Sequence, residues 1–293
     1  MARPAVDVVV PFAGPPPDLQ RLAALRLGEG DSLVVVDNNR RPAPPAGGVT
    51  VIHRPDRATP GYARNRGAEQ GHADWLLFLD ADVVPPADLL DRYFDPAPGE
   101  RAALVAGEME DEPVPPDAPA VARYAHLRGL MTQEDSFALG SWGFPKTANA
   151  LCRRAAFEEI GGFTEDIRAG EDADLTYRLK AAGWQVERRE RAAVTHRSRQ
   201  TVTGFVAQKA LHGAGGAWLA RRYPGAFPAR RRPGLVWWGV RTVASGVVRA
   251  ARERDRDTAV YAVFEPLELL SFEFGRSLPN ERPAPGRWAR LLG

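Results

Sequence analysis

The sequence is poor in cysteine and lacks long apolar runs. Its single cysteine, Cys152, cannot form a disulfide within one chain or a zinc site of several cysteines. No run reaches the roughly 18 apolar residues of a membrane-spanning helix. The first twelve residues also lack the apolar core of a signal peptide. We therefore expect a protein of a reducing compartment without a transmembrane helix.

Charge of one sign is also scarce, because 39 basic residues nearly balance 37 acidic ones and leave a formal net charge of +2. This balance does not favour nucleic acid as a partner. Only three of the basic residues are lysines; the rest are arginines. With 293 residues, 44% of them hydrophobic, the chain is long enough for one large α/β domain and an appended tail.

Apolar strands and helical patterns alternate along the first two thirds of the chain. Strands are predicted at 6–12, 32–39, 49–54, 74–82, 103–111 and within 185–198. Helices are predicted at 18–27 with Asp18 as N-cap, and at 61–71, 86–94, 121–133, 155–163 and 170–184. This alternation predicts a parallel sheet covered on both faces, with functional groups at the carboxyl ends of its strands.

The stretch LLFLDADVVP, residues 76–85, ends an apolar strand in two aspartates, Asp80 and Asp82. Neighbouring carboxylates repel each other, and a divalent cation removes that repulsion. Oxygen ligands favour Mg²⁺ or Mn²⁺, usually shared with substrate phosphates. The structural alternative is a solvated turn in which Asp82 caps the following helix.

Two further polar residues lie where ligands of an α/β sheet are expected. Asp37 ends the second predicted strand. There it would accept a hydrogen bond from a nucleotide base or a ribose hydroxyl. The alternative is a turn residue that hydrogen-bonds to its own backbone, together with Asn38 and Asn39. Arg64 lies near the predicted start of helix 61–71, a position suited to a phosphate. The alternative for Arg64 is a surface arginine paired with an acid.

The stretch GEDADL opens the helix at 170–184 with Glu171, Asp172 and Asp174. Acids are favoured in a first helical turn by the helix dipole, but the Glu171–Asp172 pair is also suited to general base catalysis. His196, near the end of the last predicted strand, is a candidate metal ligand or a histidine satisfied within the fold.

In this order and spacing, the motifs resemble the family 2 glycosyltransferases, which have the GT-A fold. The resemblance covers about residues 5–225 and rests on VVVPF, VVVDNN, GYARNRG, LLFLDADVVP, TANALCRRAAFEEIGGF and GEDADLTYRLKAAGW. It implies an α/β protein with a mostly parallel, Rossmann-like central sheet and flanking helices. The catalytic domain would span 1–225, and 226–293 would form a helical, arginine-rich extension.

The resemblance also implies a role for each candidate residue. Asp82 would bind Mg²⁺ or Mn²⁺ directly, Asp80 would contact the metal or the ribose, and His196 would be a further metal ligand. Asp172 would deprotonate the acceptor hydroxyl, so that one direct displacement inverts the anomeric carbon. The nucleoside diphosphate sugar would be bound by Pro11, Phe12, Asp37, Arg64, Asp80 and Asn149.

The chain departs from the family pattern after its second strand. Asp37 is followed by two asparagines, where many relatives have Asp-Asp-Gly-Ser, so UDP-, dTDP- and GDP-linked donors all stay open, with a hint of dTDP. Trp142 and Phe144 precede the Asn149 strand, where they would stack on a sugar ring or pack in the core. The acceptor would carry a hydroxyl on a cell-surface polysaccharide, a glycolipid or a natural product.

The tail is basic and amphipathic. Arg230 to Arg232 precede aromatic and aliphatic residues at helical spacing, through about residue 248. Such a segment is suited to an anionic membrane surface, where a cytoplasmic enzyme would meet a lipid-linked acceptor at the inner face. The alternative is packing on the catalytic domain or on a second subunit, with 264–278 as an apolar partner.

Three rival functions share single features with this chain. A haloacid-dehalogenase-type phosphohydrolase also carries an Asp-x-Asp strand end, with Asp172 and Asp174 as later metal ligands. However, Val83, Val84 and Pro85 follow the motif here, and it lies far from the chain start. A nucleotidyltransferase needs a glycine-rich basic loop that is missing after the first strand. In a non-catalytic binding protein, we would not expect the acidic set to be intact.

Overall fold

The computed structural model describes residues 3–13, 22–42, 49–196, 198, 200–230 and 232–282. The chain divides into two compact units. The first unit comprises 1–110, 132–196 and 281–293, and the second comprises 111–131 and 197–280. Within the described residues, no helix combines the length and apolarity needed to cross a bilayer.

The first unit is organised around one sheet. Its strands are β1 (Val6–Phe12), β2 (Ser32–Asp37), β3 (Thr50–His53), β4 (Trp75–Leu79), β5 (Val83–Val84), β6 (Ala102–Asp111), β7 (Asn149–Arg153) and β8 (Gln185–His196). They form the order β3-β2-β1-β4-β7-β6-β8-β5. The strands β1 to β4 pair in parallel, and β7 runs antiparallel to β4 and β6. The predicted α/β architecture is therefore confirmed.

The core of the sheet explains why these segments are strands. Val8, Val9 and Val10 of β1 and all of β4 from Leu76 to Leu79 are completely buried. Continuous apolar runs of this kind suit a strand that is covered on both faces. Because β1, β2 and β3 are parallel and in register, Phe12 lies beside Asp37 and Asp37 beside His53 at one sheet edge.

Helices connect and cover the strands. Within the described residues they are α1 (Pro60–Ala68), α2 (Leu89–Tyr93), α3 (Ala120–Arg128), α4 (Glu134–Phe137), α5 (Arg154–Glu159), α6 (Glu171–Ala181), α7 (Val202–Arg222), α8 (Arg232–Glu253) and α9 (Arg256–Gly275). Short 3₁₀ turns occur at Leu22–Ala24 and Gly140–Trp142. Helix α1 packs so closely on β1 that a side chain at Gly67 would overlap Val9.

The prediction of a helix at 18–27 is wrong for residues 22–27, the part of this range that the structure describes. Only the 3₁₀ turn Leu22–Ala24 forms there, and residues 26–28 are not helical. This single turn already buries both Leu22 and Leu25, so the apolar positions need no longer helix. The predicted N-cap, Asp18, lies outside the described residues.

The second unit consists largely of helices. Helices α7 and α9 approach each other so closely that a side chain at Gly213 would overlap the Phe272 carbonyl, and one at Gly275 the Ala210 carbonyl. Helices α3 and α8 also pack on α9. This packing places α7 with the C-terminal helices, whereas the predicted division at residue 225 assigns it to the catalytic domain. Where the catalytic domain ends stays a prediction.

Candidate active site

The loop after β2 is held by its own polar groups. The Asp37 carboxylate is buried and accepts a hydrogen bond of 2.9 Å from the backbone N–H of Asn39. The Asn38 amide donates to the carbonyl oxygens of Arg54 and Arg57, at 2.8 Å each. The backbone N–H of Asn38 donates to the carbonyl of Phe12, whose side chain is buried. The edge formed by β1 and β2 is therefore preorganised.

The Asp-x-Asp pair lies in the turn between β4 and β5. The side chains of Asp80 and Asp82 are 35% and 43% exposed, so both are partly accessible to solvent. Antiparallel pairing of β5 with β8 places Val83 opposite His196. As a result, His196 Nε2 lies 3.4 Å from Asp82 Oδ2. Two of the predicted metal ligands are thus brought together by the sheet.

Arg64 is buried at the centre of the acidic cluster. It is the fifth residue of α1, so its predicted place at the helix start is wrong. Its guanidinium donates to Asp80 Oδ1 at 2.8 Å and to Glu171 Oε1 at 2.9 Å. It also lies 3.7 Å from Asp172 Oδ1. One arginine therefore connects the end of β4 with the start of α6.

The three acids of α6 have different environments. Glu171 is buried against Arg64, whereas Asp172 is 22% exposed and accepts a hydrogen bond from the Thr147 hydroxyl. Asp174 is buried and pairs with Arg178 at 2.8 Å. The helix begins after Gly170, whose φ of +89° lies in the left-handed region that favours glycine. Asp174 is therefore structural, and Asp172 is the acid that stays accessible.

Glu171 is a residue whose partner the sequence did not reveal. The sequence analysis considered it with Asp172 as part of a possible general base, and its pairing with Arg64 spans 107 positions. The signal that could have pointed to it is the need of a buried arginine for buried acids.

Negative charge is in excess at this edge. Partial burial raises the pKa of Asp80, Arg64 opposes that shift, and the neighbouring Asp82 and Asp172 carboxylates add to it. Burial and the Asp172 charge also raise the pKa of Glu171, to about 7, against the effect of Arg64. Burial lowers the pKa of Arg64, but the surrounding acids have the larger combined effect and raise the pKa above its ordinary value. A cation is the ligand that relieves this excess.

The donor set fits a divalent metal that shares its ligands with a substrate. Within the described part of the chain, no group of three or more acidic, histidine or cysteine side chains forms a complete metal cluster. Mg²⁺ is commonly held by one or two carboxylates together with substrate phosphates. Asp80 and Asp82, with His196 beside them, match that kind of incomplete site.

The structure does not bring Asn149 into this cluster. Its side chain is completely buried, and its amide donates to the carbonyls of Glu108 and Ala192 at 2.9 and 2.8 Å. Its amide oxygen accepts from the Tyr93 hydroxyl at 2.7 Å. The Asn149 side chain therefore ties together β6, β7 and β8, and its predicted contact with the donor stays a prediction.

The aromatic pair before β7 packs on one ring. Trp142 and Phe144 are both half-buried, and both contact the Tyr177 ring edge-on. The centroid of the Tyr177 ring lies 5.1 Å from that of Trp142 and 6.5 Å from that of Phe144. The Tyr177 hydroxyl donates to the Trp142 carbonyl at 2.7 Å. The predicted core packing is therefore present, and stacking on a sugar ring stays a prediction.

Comparison with known proteins identifies the family. Residues 31–213, well over half of the chain, match the family model described as glycosyltransferase like family 2. The chain therefore belongs to this family, as the motifs predicted. Membership overturns the haloacid-dehalogenase alternative, since the Asp-x-Asp strand end belongs to a glycosyltransferase domain.

Curated relatives carry related names. The pre-mycofactocin glycosyltransferase of Mycobacterium tuberculosis is 30% identical over 213 residues, which cover 69% of this chain and 44% of that protein. The succinoglycan biosynthesis protein ExoA of Rhizobium meliloti is 27% identical, covering 58% of this chain and 52% of that protein. The chain thus spans about half the length of these relatives.

Solved structures share the fold at low identity. The mannosyltransferase PcManGT from Pyrobaculum calidifontis, in complex with GDP-Man and Mn²⁺, has a TM-score of 0.61 and 15% identity, covering 92% of this chain and 86% of that one. Glucosyl-3-phosphoglycerate synthase from Mycobacterium tuberculosis, with Mg²⁺ and UDP, has a TM-score of 0.52 and 16% identity, covering 75% and 79%. These likenesses confirm the predicted GT-A fold.

Proposed function

We propose that the chain is an inverting, metal-dependent glycosyltransferase that moves a sugar from a nucleoside diphosphate to an acceptor hydroxyl. The observation that carries the proposal is the excess of carboxylates around the single buried Arg64 at the carboxyl edge of the sheet. Membership of a glycosyltransferase family and the complexes of the fold neighbours with nucleotides and divalent metals support it.

The proposed metal site consists of Asp82 and Asp80, with His196 as a further ligand. When bound, Mg²⁺ or Mn²⁺ neutralises the diphosphate and stabilises the leaving nucleotide. The chain itself holds the ligands in place: Arg64 fixes the Asp80 carboxylate, and pairing of β5 with β8 fixes His196 beside Asp82.

The proposed donor pocket follows the ends of β1 and β2. Asp37 accepts hydrogen bonds from the base or ribose, beside Pro11 and Phe12. The bonds that hold Asn38 and Asn39 keep this edge rigid, which lowers the entropic cost of binding. We propose a UDP-, dTDP- or GDP-linked donor.

Asp172 is the proposed general base. Its carboxylate is partly exposed, and the hydroxyl of Thr147 donates a hydrogen bond to it, which orients the carboxylate. The carboxylate takes the proton of the acceptor hydroxyl while the acceptor oxygen forms its bond to the anomeric carbon. The bond from that carbon to the diphosphate breaks in the same step, so the configuration inverts.

The acceptor is proposed to be a hydroxyl of a polysaccharide, glycolipid or natural product. The name of the ExoA relative refers to succinoglycan biosynthesis, which supports a saccharide acceptor. We further propose a cytoplasmic enzyme that contacts the inner face of the membrane through its C-terminal segment and takes a lipid-linked acceptor. A homodimer formed through the same segment is the alternative.

Calorimetric binding tests the donor site. UDP, dTDP and GDP are each titrated with and without Mn²⁺, into the wild type and into Asp88→Ala. Asp88→Ala is the matched control for a change of Asp82 to alanine, because the Asp88 side chain is 46% exposed, close to the 43% of Asp82. We expect Mn²⁺-dependent binding of one nucleotide to both proteins. Absence of binding by folded protein would contradict the proposal, and binding without any transfer activity would favour a non-catalytic protein.

A further inference from the structure

Helix α8 has one face covered and one face open. Leu235 and Ala250 are buried, and Gly246 lies so close to α9 that an added side chain would overlap Ala262. Gly239 also faces α9, where an added Cβ would make a tight contact of 3.3 Å with Pro266. These contacts fix the rotation of α8 about its axis and decide which residues point outward.

The outward face carries an apolar stripe at helical spacing. Trp237 is 69% exposed and Val240 is 59% exposed. The α8 stripe consists of Val236, Trp237, Val240, Val247 and Val248. A contiguous exposed apolar surface that includes a tryptophan is unusual unless it meets a partner or a membrane.

Arginines border the α8 stripe on one side. At about 100° per residue, Arg241 and Arg252 lie next to the stripe, and Arg249 lies further round the helix. Among the described residues, none of these three side chains has an ion pair or hydrogen bond. Arg241 and Arg249 also line a cavity of about 590 Å³ between α8 and α9.

Two of the three acids at this cavity are already engaged, and the third, Glu265, forms no ion pair with the arginines of α8 among the described residues. Asp255 caps the start of α9 by accepting from the backbone N–H groups of Asp257 and Thr258. Asp257 pairs with Arg123. The arginines of α8 are therefore left to attract negative charge from outside the chain.

We propose that the outward face of α8 docks on an anionic phospholipid bilayer. The α8 stripe enters the boundary between headgroups and acyl chains, and Arg241 and Arg252, which lie next to the stripe, meet the lipid phosphates. Trp237 suits this depth because its ring is apolar and its N–H is polar. This inference deepens the proposed membrane contact and rests on it for its functional meaning.

Charge favours a bilayer over a second copy of the chain. A symmetric dimer through this face with antiparallel α8 helices would bring the arginine borders of two copies together. Glu253 is the single acid on α8 between residues 232 and 253, so like charges would oppose each other across that interface. An anionic bilayer, by contrast, complements both the apolar stripe and the arginines.

Vesicle sedimentation with the full chain tests the proposal. The vesicles are phosphatidylcholine alone or phosphatidylcholine mixed with phosphatidylglycerol. Point variants are preferable to removal of residues 230–293, because that deletion would expose the surface of α7 that packs on α9. We expect the wild type to sediment with the anionic vesicles, less so at high salt, and not with the neutral ones.

Two double variants and two matched controls locate the surface. Trp237→Glu with Val240→Glu is expected to abolish binding, and Arg241→Gln with Arg252→Gln to lower the partition coefficient about 30-fold, at roughly 1 kcal/mol per arginine. The control for the first is Val202→Glu, at an exposed valine on α7. The control for the second is Arg221→Gln with Arg222→Gln, at exposed arginines at the end of α7. Both controls should bind like the wild type.

Three outcomes would overturn the inference: unchanged binding of the α8 variants, equal losses in the controls, or conversion of a dimer to a monomer by the α8 stripe variant in sedimentation equilibrium. Nucleotide calorimetry without vesicles separates this inference from the proposed function. If nucleotides bind but vesicles do not, only the membrane inference fails. If vesicles bind but nucleotides do not, only the proposed function fails.

Discussion

Arg64 on α1 is buried and bridges Asp80 and Glu171, whereas Arg241 on α8 is exposed and has no ion pair among the described residues. The surrounding acids stabilise the charge of Arg64 inside the protein, where a lone guanidinium would be very costly. The charge of Arg241 is hydrated and costs nothing to leave unpaired. The first arrangement builds a preorganised site, and the second leaves charge available to an external partner.

The same contrast holds for acids of the first unit. Asp174 is buried and paired with Arg178, while Asp82 is 43% exposed and lies next to other carboxylates. A buried paired acid serves the fold, because its ligand positions are filled by the protein. An exposed acid among like charges is stabilised when a cation binds beside it. The predictions below separate these two uses of charge.

The largest effect is expected for Asp82→Ala. Loss of this carboxylate should abolish Mn²⁺-dependent nucleotide binding and lower kcat/KM by at least about 10³-fold, because the diphosphate charge is no longer neutralised. Calorimetry and a donor-consumption assay measure both effects, with Asp88→Ala as the exposed aspartate control. Binding equal to that of the wild type would refute the assigned role.

Asp172→Asn should separate binding from chemistry. The amide keeps the shape of the side chain but cannot take the acceptor proton, so we expect kcat to fall by about 10² to 10⁴-fold. Nucleotide binding should stay within about twofold of the wild type, since the change preserves the local volume. Transfer at the wild-type rate would place the general base elsewhere.

Arg64→Ala, compared with alanine variants of Arg66 and Arg241, tests whether a buried arginine contributes more to the free energy of unfolding than more exposed ones do. Removal leaves Glu171 and Asp80 without their cation, so the free energy of unfolding should fall by about 3–5 kcal/mol. Arg66→Ala, which breaks half-exposed pairs with Glu69 and Glu165, should cost about 0–1 kcal/mol.

The third member of the series is Arg241→Ala, which should change the free energy of unfolding by less than about 0.5 kcal/mol. Urea denaturation of all three variants measures the series. Equal losses in the three would mean that burial does not distinguish these arginines.

A smaller effect than the loss of Arg64 is expected from the pH dependence of stability. Burial and Asp172 raise the pKa of Glu171 from 4.5 to about 7, so the folded chain holds this proton more tightly than the unfolded chain. Its contribution to the free energy of unfolding is complete below about pH 4.5 and is lost as the pH rises through about 7. We expect a loss on the order of 1–3 kcal/mol across this range.

Urea denaturation of the wild type and of Glu171→Gln at several pH values checks this slope. The amide does not titrate, so the variant should lack the part of the slope that Glu171 contributes. Identical slopes in both proteins would show that Glu171 does not hold its proton in the folded state.

Much of the first unit was predictable because its strands are long apolar runs. β1 and β6 form within one residue of their predicted bounds, since burial on both faces requires continuous apolar residues. The helix at 18–27 was not predictable in its described part, because one 3₁₀ turn buries the same leucines. The periodicity of apolar residues indicates which side chains would share one face of a helix. It does not indicate how many helical turns form, because that depends on the surface against which the segment packs.

The candidate site was predictable in its members and not in its contacts. The order of motifs placed Asp37, Asp80 and Asp82 at strand ends; Asp37 ends β2 and Asp80 follows β4, whereas Asp82 lies in the turn before β5. Pairings such as Arg64 with Glu171 or Asp82 with His196 join residues more than a hundred positions apart. Without an alignment, such distances leave no local pattern to read.

The sequence by itself determined the family, the parallel half of the sheet and the acids at its carboxyl edge, because strand periodicity and motif order are local properties of the chain. The tertiary structure decided which charges are paired inside the fold and which face outward. It buried Arg64, Glu171 and Asp174 and left Asp82 and Arg241 exposed. The physical reason is that the energy of a charge depends on the groups packed around it, and only the folded chain brings those groups together.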